Sequence, residues 1–404
     1  MRNKNLEFSM VMTAVCCIAG SAIADGYRNP PPTAEGIGKS GVNSVFVDDA
    51  SAISYNPANL ALQTNKSVVI SATFARTENT YKNPLSPAPA ESDGAWNILP
   101  NIYYSQPIGE NGLSFGLGIT TPFGQGLAWD KVDFTPPGGT YTVPYEASVA
   151  LIDINPTIAF KVLDRVSIGV GLDIYYSQLE LKAVNGLVVP GPTQVTFDSE
   201  GSGDGWGVGG NIGATWLMTD AQRLTFTYRS AFEIDYSGDF KIPGLPDSGF
   251  ETSIKLPNIF SLGYGIQLSD KIQVEALAEW LQWSNNDSQT LNAGGVTSTI
   301  PNNWDDTLTL GIGGSWLATE SFVVRAGYAY LPSPIPDATI THLLPDADRH
   351  ALSLGLGYTH GSHTFDLAYT FSIYDDRTAP LTGAGPGTYE IDSNLVGMTY
   401  SLSF

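Results

Sequence analysis

The sequence predicts an all-β protein, a 14-stranded antiparallel transmembrane β-barrel with an N-terminal hatch (plug) inside its lumen. Three observations carry that prediction. From residue 147 onward the chain resolves into segments of about ten to eighteen residues with apolar and polar side chains alternating, as in strands with one apolar and one polar face. After residue 25 no stretch approaches the roughly 18 consecutive apolar residues of a spanning helix. The connections between segments alternate between short turns and long polar loops.

The N-terminus reads as a secretory signal. Arg2 and Lys4 form a basic start, Met10 to Gly20 is apolar, and Ala22-Ile23-Ala24 offers the small residues of a cleavage site, which would leave Asp25 first in the mature chain. The apolar part falls short of the roughly 20 residues needed to span a bilayer as a helix. The only cysteines, Cys16 and Cys17, lie inside this segment, preceded by Val15 and Cys16 rather than the small residues of a lipoprotein site. The mature chain therefore has no thiol, which excludes disulfides, metal thiolates and a cysteine nucleophile. Removing Arg2, Lys4 and Glu7 from 19 basic and 40 acidic residues leaves 17 and 39, a net charge of −22. Such a chain has no basic field to collect phosphates, so nucleic acid is not an expected partner.

Residues 25–66 break the strand pattern. Pro30-Pro31-Pro32, several glycines, Asp48-Asp49-Ala50-Ser51 and Asn56-Pro57-Ala58 are too long a stretch for a turn, and Ile37, Val42, Val45, Phe46, Val47, Ile53, Leu60 and Leu62 need something to pack against. A segment of this length can fill a barrel lumen. The domain reading is a signal peptide over 1–24, a hatch over 25–66 and a barrel over 67–404.

Strands are expected at 67–78, 95–108, 112–121, 147–163, 166–184, 206–219, 222–234, 251–268, 271–284, 304–319, 321–331, 348–360, 363–375 and 393–404. The C-terminal pair is the clearest. Phe365, Leu367, Tyr369, Phe371 and Ile373 share one face, and Val396, Met398, Tyr400, Leu402 and Phe404 share another. Strands of a soluble sandwich average about five or six residues, whereas a tilted membrane strand needs about nine to eleven. Short links at Gly109-Glu110-Asn111, Asp164-Arg165, Thr219 to Ala221, Ser269-Asp270, Thr319-Glu320 and Gly361-Ser362 mark the periplasmic side. Segments 79–94, 122–146, 185–205, 285–303 and 376–392 are expected as outer loops. An even strand number puts both ends in the periplasm. Tyr176, Tyr228, Trp280, Tyr328, Tyr330, Tyr358 and Tyr400 lie on apolar faces near strand ends, where interfacial girdles form.

Alternation turns Asp153, Asp173, Glu275, Glu279 and Asp366 into the lumen together with Arg229, Arg325 and Arg349. A guanidinium can hold both oxygens of a carboxylate, so these arginines are candidate ligand contacts, as is Phe46; equally, the arginines can simply neutralise neighbouring acids. Asp346, Asp348, Arg349 and His350 enter a strand from a loop and read more simply as turn and capping residues than as a metal or hydrolytic site. Only four histidines exist, at 342, 350, 360 and 363, with no nucleophile elbow or paired-histidine metal motif, so neither a metal, a cofactor nor an enzyme activity is expected.

Asp48-Asp49-Ala50-Ser51 with Asn56-Pro57-Ala58, Thr121-Pro122-Phe123-Gly124, Asp153-Ile154-Asn155-Pro156, Gly205-Trp206-Gly207, Tyr228-Arg229-Ser230, Arg325 to Tyr330 and Pro345-Asp346-Ala347-Asp348-Arg349 occur in one order along the chain. In these the sequence resembles the outer-membrane long-chain fatty acid and hydrocarbon transporters of the FadL type, nearly end to end. The resemblance implies a hatch carrying Asp48, Asp49, Asn56, Pro57 and Ala58, an apolar groove in the outer loops, a pocket in the barrel, and lateral release through a kink in the third strand. Gly116 and Gly118 are the kink candidates, because glycine in a strand often marks a bend. The start Asp25-Gly26-Tyr27-Arg28-Asn29 departs from the family's more apolar one.

The expected function is passive uptake of long-chain fatty acids or related hydrophobic molecules across the outer membrane of a Gram-negative bacterium, by a monomer. The expected partners are that ligand, outer-membrane lipid and lipopolysaccharide, and the barrel-assembly machinery through the last strand ending in Phe404. The competing readings are a polar porin, which needs an open lumen without a plug; an enzyme, which needs a catalytic set; and an adhesive or structural barrel, in which only the outer loops matter.

Overall fold

The computed structural model describes residues 25–84, 88–109, 112–189 and 193–404. The expected signal segment lies outside the described residues, as do Glu110 and Asn111 of the first turn. The barrel strands are β1 (Ser67–Lys82), β2 (Trp96–Ile108), β3 (Leu113–Thr120, resumed at Gly124–Ala128), β4 (Tyr141–Leu163), β5 (Val166–Val189), β6 (Thr193–Leu217) and β7 (Gln222–Arg229, resumed at Phe232–Lys241). They continue as β8 (Ser248–Leu256 and Ile259–Ser269), β9 (Ile272–Leu281), β10 (Thr307–Leu317), β11 (Phe322–Leu331), β12 (Arg349–His360), β13 (His363–Tyr374) and β14 (Gly387–Ser403). Each pairs antiparallel with its chain neighbours, and β1 closes on β14 from Ser67↔Ser403 to Lys82↔Thr388. Closure leaves no free edge along this seam, the condition a sheet must meet in lipid.

The alternation sorts side chains as expected. Along β12 and β13, Leu352, Leu354, Leu356, Phe365, Leu367 and Phe371 are exposed toward lipid, while Ala351, Ser353, Asp366 and Thr370 are buried inside. Trp280, Tyr328 and Tyr358 of the expected girdles are exposed on the outer face. Strand lengths differ from expectation on the loop side. β4, β5 and β6 run for 23, 24 and 25 residues, about twice what a tilted strand needs to cross. Segment 185–205 is therefore mostly strand, and 285–303 holds a hairpin, Ser288–Ala293 with Val296–Pro301. Outside the apolar band both faces of a strand meet water, so polar ladder residues there carry no two-residue hydrophobic period to read.

Residues 25–66 lie inside the barrel. Two short helices, α1 (Ala34–Gly38) and α2 (Ala52–Tyr55), and a 3-10 turn over Pro57–Leu62 pack against the lumenal face of β1, β3 to β6 and β11 to β14. Lumenal glycines make room for them. A Cβ on Gly327 would stand 2.2 Å from the Lys39 carbonyl carbon, and one on Gly169 would stand 2.4 Å from that of Pro57.

Candidate functional site

The hatch is fastened to the wall by buried polar contacts. Asn56 donates to Thr215 Oγ1 at 2.8 Å, Thr215 in turn donates to Asn59 Oδ1 at 2.7 Å, and the Asn59 amide reaches the Ser44, Val45 and Val47 carbonyls. The Ala58 amide donates to Asn56 Oδ1, so Asn56 caps the turn that Pro57 opens. Asp49 accepts from the Ser51 amide and, across the lumen, from Ser401 Oγ, whereas Asp48 is exposed. Lys39, 1% exposed, donates to Glu275 at 2.7 Å and Glu35 at 3.0 Å. A buried ammonium persists only with such partners, since its desolvation costs several kcal/mol.

Above the hatch lies a cavity of about 180 Å³. Pro30 to Pro32, Val42 and Tyr55 form part of its floor, and Arg229, Glu279, Arg349, Thr121 and Phe123 form part of its walls. Toward the outside it meets an aromatic cluster. Tyr175 and Phe232 stack with centroids 3.7 Å apart, Phe123 lies 5.8 Å from Phe232, and Tyr27 packs on Trp283 and Trp304. Over these, the loop before β12 lays Ile335, Ile340, Leu343 and Leu344.

The three arginines and Phe46 fall in different settings. Arg229 lines the cavity but is spoken for, donating to Asp173 at 2.6 Å, Asp153 at 3.1 Å and the Tyr175 hydroxyl. Arg325 binds Asp366 at 2.6 Å and Glu35 at 3.4 Å, below the cavity. Phe46 sits near the periplasmic end of the lumen, 5.0 Å beneath the Arg223 guanidinium, and is not brought to the cavity. Arg349 differs from all of these. It is 5% exposed and lines the cavity, and its Nε and Nη1 have no hydrogen-bond partner among the described residues. Beside it, Arg28 pairs with Glu279 and with Asp25 at 3.4 Å. The Gly26 amide donates to Asp346 at 3.1 Å. Burial pushes the Asp25 carboxyl up to about 7, with Arg28 opposing, and the Asp346 carboxyl up to about 6, with the Gly26 hydrogen bond opposing.

The kink of the third strand is not at Gly116 and Gly118. Both sit in unbroken ladders, Gly116 opposite Ser105 and Thr157 and Gly118 opposite Tyr103 and Asn155, and their missing side chains make room for Ile53 and Leu60 of the hatch. The interruption falls instead between Thr120↔Asp153 and Gly124↔Ala150, where Thr121, Pro122 and Phe123 face only Leu151 and Ile152 of β4. On the other side the β2 ladder ends at Ile102↔Ile119. Pro122 and, across the gap, Pro100 carry no amide hydrogen to continue a ladder. The N-terminal segment closes this gap from inside: the Asn29 amide donates to the Pro122 carbonyl at 3.0 Å, the Gly124 amide to the Tyr27 carbonyl at 2.9 Å, and the Asn101 side chain to the Pro32 carbonyl. A proline inside an otherwise strand-like run was the available signal for the bulge. Arg28, Lys39 and the Tyr175–Phe232 stack had no local signal, because each is defined by a partner far away in sequence.

Residues 15–404 match the outer membrane protein transport protein family (OMPP1/FadL/TodX). The chain belongs to that family. Among FadL relatives, the long-chain fatty acid transport protein of Escherichia coli is 23% identical, with 98% of each chain covered. Outer membrane protein P1 of Haemophilus influenzae is 23% identical over 99% of this chain and all of its own. A solved Pseudomonas aeruginosa FadL homologue superposes with a TM-score of 0.79 at 23% identity, covering 94% of this chain and 99% of that one. The Pseudomonas putida toluene transporter TodX does so with 0.71 at 16%, covering 93% and 98%. The protein is thus a transport channel of the Gram-negative outer membrane for hydrophobic compounds, and not an enzyme.

Proposed function

We propose that this FadL-family channel takes up long-chain fatty acids and related hydrophobic acids passively, holds the carboxylate at Arg349, and releases the cargo sideways through the interruption of β3 at Thr121–Phe123. The observation that carries this reading is the unpartnered pair of guanidinium nitrogens on Arg349, buried in the cavity wall and facing an aromatic chamber. Each of these nitrogens can donate a charge-assisted hydrogen bond to a carboxylate oxygen. Lateral release follows from the cargo, since apolar molecules gain nothing by entering water, and from the hatch, whose glycine-moulded seat fills the periplasmic half of the lumen. Arg229 and Arg325 then hold the wall and hatch in place rather than the ligand. The protein works as a monomer among outer-membrane lipid and lipopolysaccharide, and reaches the membrane through the assembly machinery by its last strand and Phe404.

A neutral monoaromatic cargo is the second reading, favoured by size, because about 180 Å³ is near the roughly 150 Å³ of a hole that takes up benzene. TodX, a fold relative, is named for toluene.

Equilibrium binding of labelled palmitate and of toluene to the detergent-purified barrel separates the two. Losing a hydrogen bond to a charged group costs about 1.5–3 kcal/mol, so Arg349→Met should weaken palmitate binding by about 10- to 100-fold while leaving toluene unchanged. Toluene binding without palmitate binding would transfer the site to neutral cargo. Binding of neither would sink the transport reading.

A further inference from the structure

The barrel wall has a second interruption, between β6 and β7. The β6–β7 ladder runs from Leu217↔Arg223 to Asn211↔Arg229 and resumes only at Asp204↔Ser237. Between these, Gly205 to Gly210 of β6 face Ser230 to Tyr236 of β7, six residues against seven, and the ladder carries no pair. Ser230 makes the contacts at the lower lip, its amide donating to the Gly210 carbonyl and its hydroxyl accepting from the Gly210 amide, both at 2.9 Å. On its other side β7 keeps one register with β8 across its own break, from Arg229↔Ile259 to Phe232↔Leu256. The displacement is therefore confined to the β6 side.

Gly205, Gly207 and Gly209 are what let β7 lean over β6. A Cβ on Gly205 would lie 2.2 Å from the Asp235 carbonyl oxygen, and one on Gly207 would lie 3.1 Å from the Ile234 and Phe232 side chains. Three side chains of β7, Phe232, Ile234 and Tyr236, are consequently buried in the lumen and form the inner closure of the notch. On the outer face Trp206 and Val208 stand 58% and 65% exposed, and Glu233 and Asp235 are exposed on the lip. Phe232 stacks on Tyr175 and touches Phe123, the residue at the break in β3. Aromatic rings thus bridge the lumen from one interruption to the other. At about 3.3 Å per residue and a tilt near 40°, the notch lies about 20–30 Å above the periplasmic turn, at the outer leaflet.

We propose that the β6–β7 notch is a second side passage, through which uncharged apolar molecules exchange between the aromatic chamber and the outer leaflet, with Phe232 as its movable closure. Its inner closure is three side chains rather than a docked chain segment, and the β7 main chain rests on Gly205. It therefore opens by moving Phe232 together with the stretch 230–236 of β7 that has no ladder pair on β6, without displacing the N-terminus. The two carboxylates on its lip repel anions and select neutral cargo, whereas the β3 passage lies beside Arg349 and serves acids. The inference rests on the proposed transport of apolar cargo.

The test is a reversible staple. Trp206→Cys with Asp235→Cys, joined by a disulfide-containing bismaleimide, closes the notch; Pro100→Cys with Pro122→Cys, joined in the same way, closes the β3 passage. Entry of radiolabelled toluene and palmitate into proteoliposomes with a lipopolysaccharide outer leaflet, counted as the excess over protein-free vesicles, is then measured before stapling, after it, and after reduction. The expected result is that the notch staple roughly halves toluene entry, leaves palmitate entry unchanged, and is reversed by reduction. Unchanged toluene entry behind the notch staple, with the β3 staple abolishing it, would overturn the second passage and leave the transport reading intact. No entry of either probe into unstapled proteoliposomes would overturn the transport reading itself, and the second passage with it.

Discussion

The two halves of the lumen are built on opposite plans. In the periplasmic half, polar side chains on the wall meet a folded segment and pair with it: Thr215 with Asn56 and Asn59, Glu275 with Lys39 and the Val45 amide, Arg325 with Glu35. In the outer half Leu127, Trp129, Tyr175, Phe232, Ile254 and Trp283 form one apolar cluster with the loops that close over them, next to the cavity at Phe123. The contacts named in the first region are directional hydrogen bonds and ion pairs, which favour a single arrangement. The second region is held by contacts that do not depend on direction, which tolerate a guest. The difference explains how one barrel can be sealed at one end and receptive at the other.

Removing a charge from the sealed half should break the contrast most. Lys39→Met leaves the Glu275 carboxylate buried without its cation, at a cost of about 3–5 kcal/mol. We expect the hatch to undock, residues 25–66 to become protease-sensitive, and the barrel to conduct ions in planar bilayers. Adding Glu275→Gln should restore the seal in part, and a silent bilayer for Lys39→Met would show that the hatch does not depend on this pair.

A steric change in the same half should be smaller. Gly327→Val drives a side chain into the Lys39 backbone, an overpacking worth about 1–3 kcal/mol, and should lower the unfolding temperature in detergent. Gly249→Val, which meets nothing within 4 Å, is the control expected to leave it unchanged.

In the receptive half, Phe232→Ala gives up a ring pair worth about 0.5–1.5 kcal/mol beyond its buried area. It should shift binding preference from toluene toward naphthalene while leaving the hatch protected. An unaltered preference would mean that Phe232 does not bound the guest.

The smallest effect concerns the outer lid. His342 stacks on Phe134 at 4.3 Å, and its Nε2 donates to the Pro144 carbonyl at 2.7 Å. Burial holds its pKa below 6.5, against that hydrogen bond. The neutral ring therefore stabilises the lid fully above about pH 6.5, and the contribution is lost as pH falls through the lower value of the folded state. The hydrogen-exchange protection factors of residues 332–348, taken relative to intrinsic rates at each pH, should fall from neutral pH to about pH 5, and His342→Phe should remove that dependence.

The strands were legible because lipid on one side and polar contacts on the other impose a two-residue period that no other burial pattern produces over ten residues. That period ends where the bilayer ends, which is why the outward extensions of β4 to β6 carried no comparable signal. Gly116 and Gly118 were misleading for a physical reason: a glycine that bends a strand and one that makes room for a neighbour look the same in sequence. Pro122 was the better mark, since a missing amide removes a ladder bond on one side of a strand, although Pro107 and Pro156 keep their pairing with β3. Arg349 could be placed on the lumen face from alternation, but that its Nε and Nη1 lack a partner among the described residues emerges only when Asp25, Arg28 and Glu279 are brought near it from two distant parts of the chain.

The backbone pairing of residues 27–29 with the break in β3, together with the Gly26 contact to Asp346, sets a schedule for biogenesis. The leading segment cannot finish docking until the loop before β12 has arrived, more than 300 residues later. During assembly the growing sheet must curl around its own beginning while that segment is still unanchored at one end. The residues exported earliest are among the last to settle, so a stalled or slow C-terminal strand would leave a membrane-inserted channel without its stopper, with an open path for small solutes until assembly is complete.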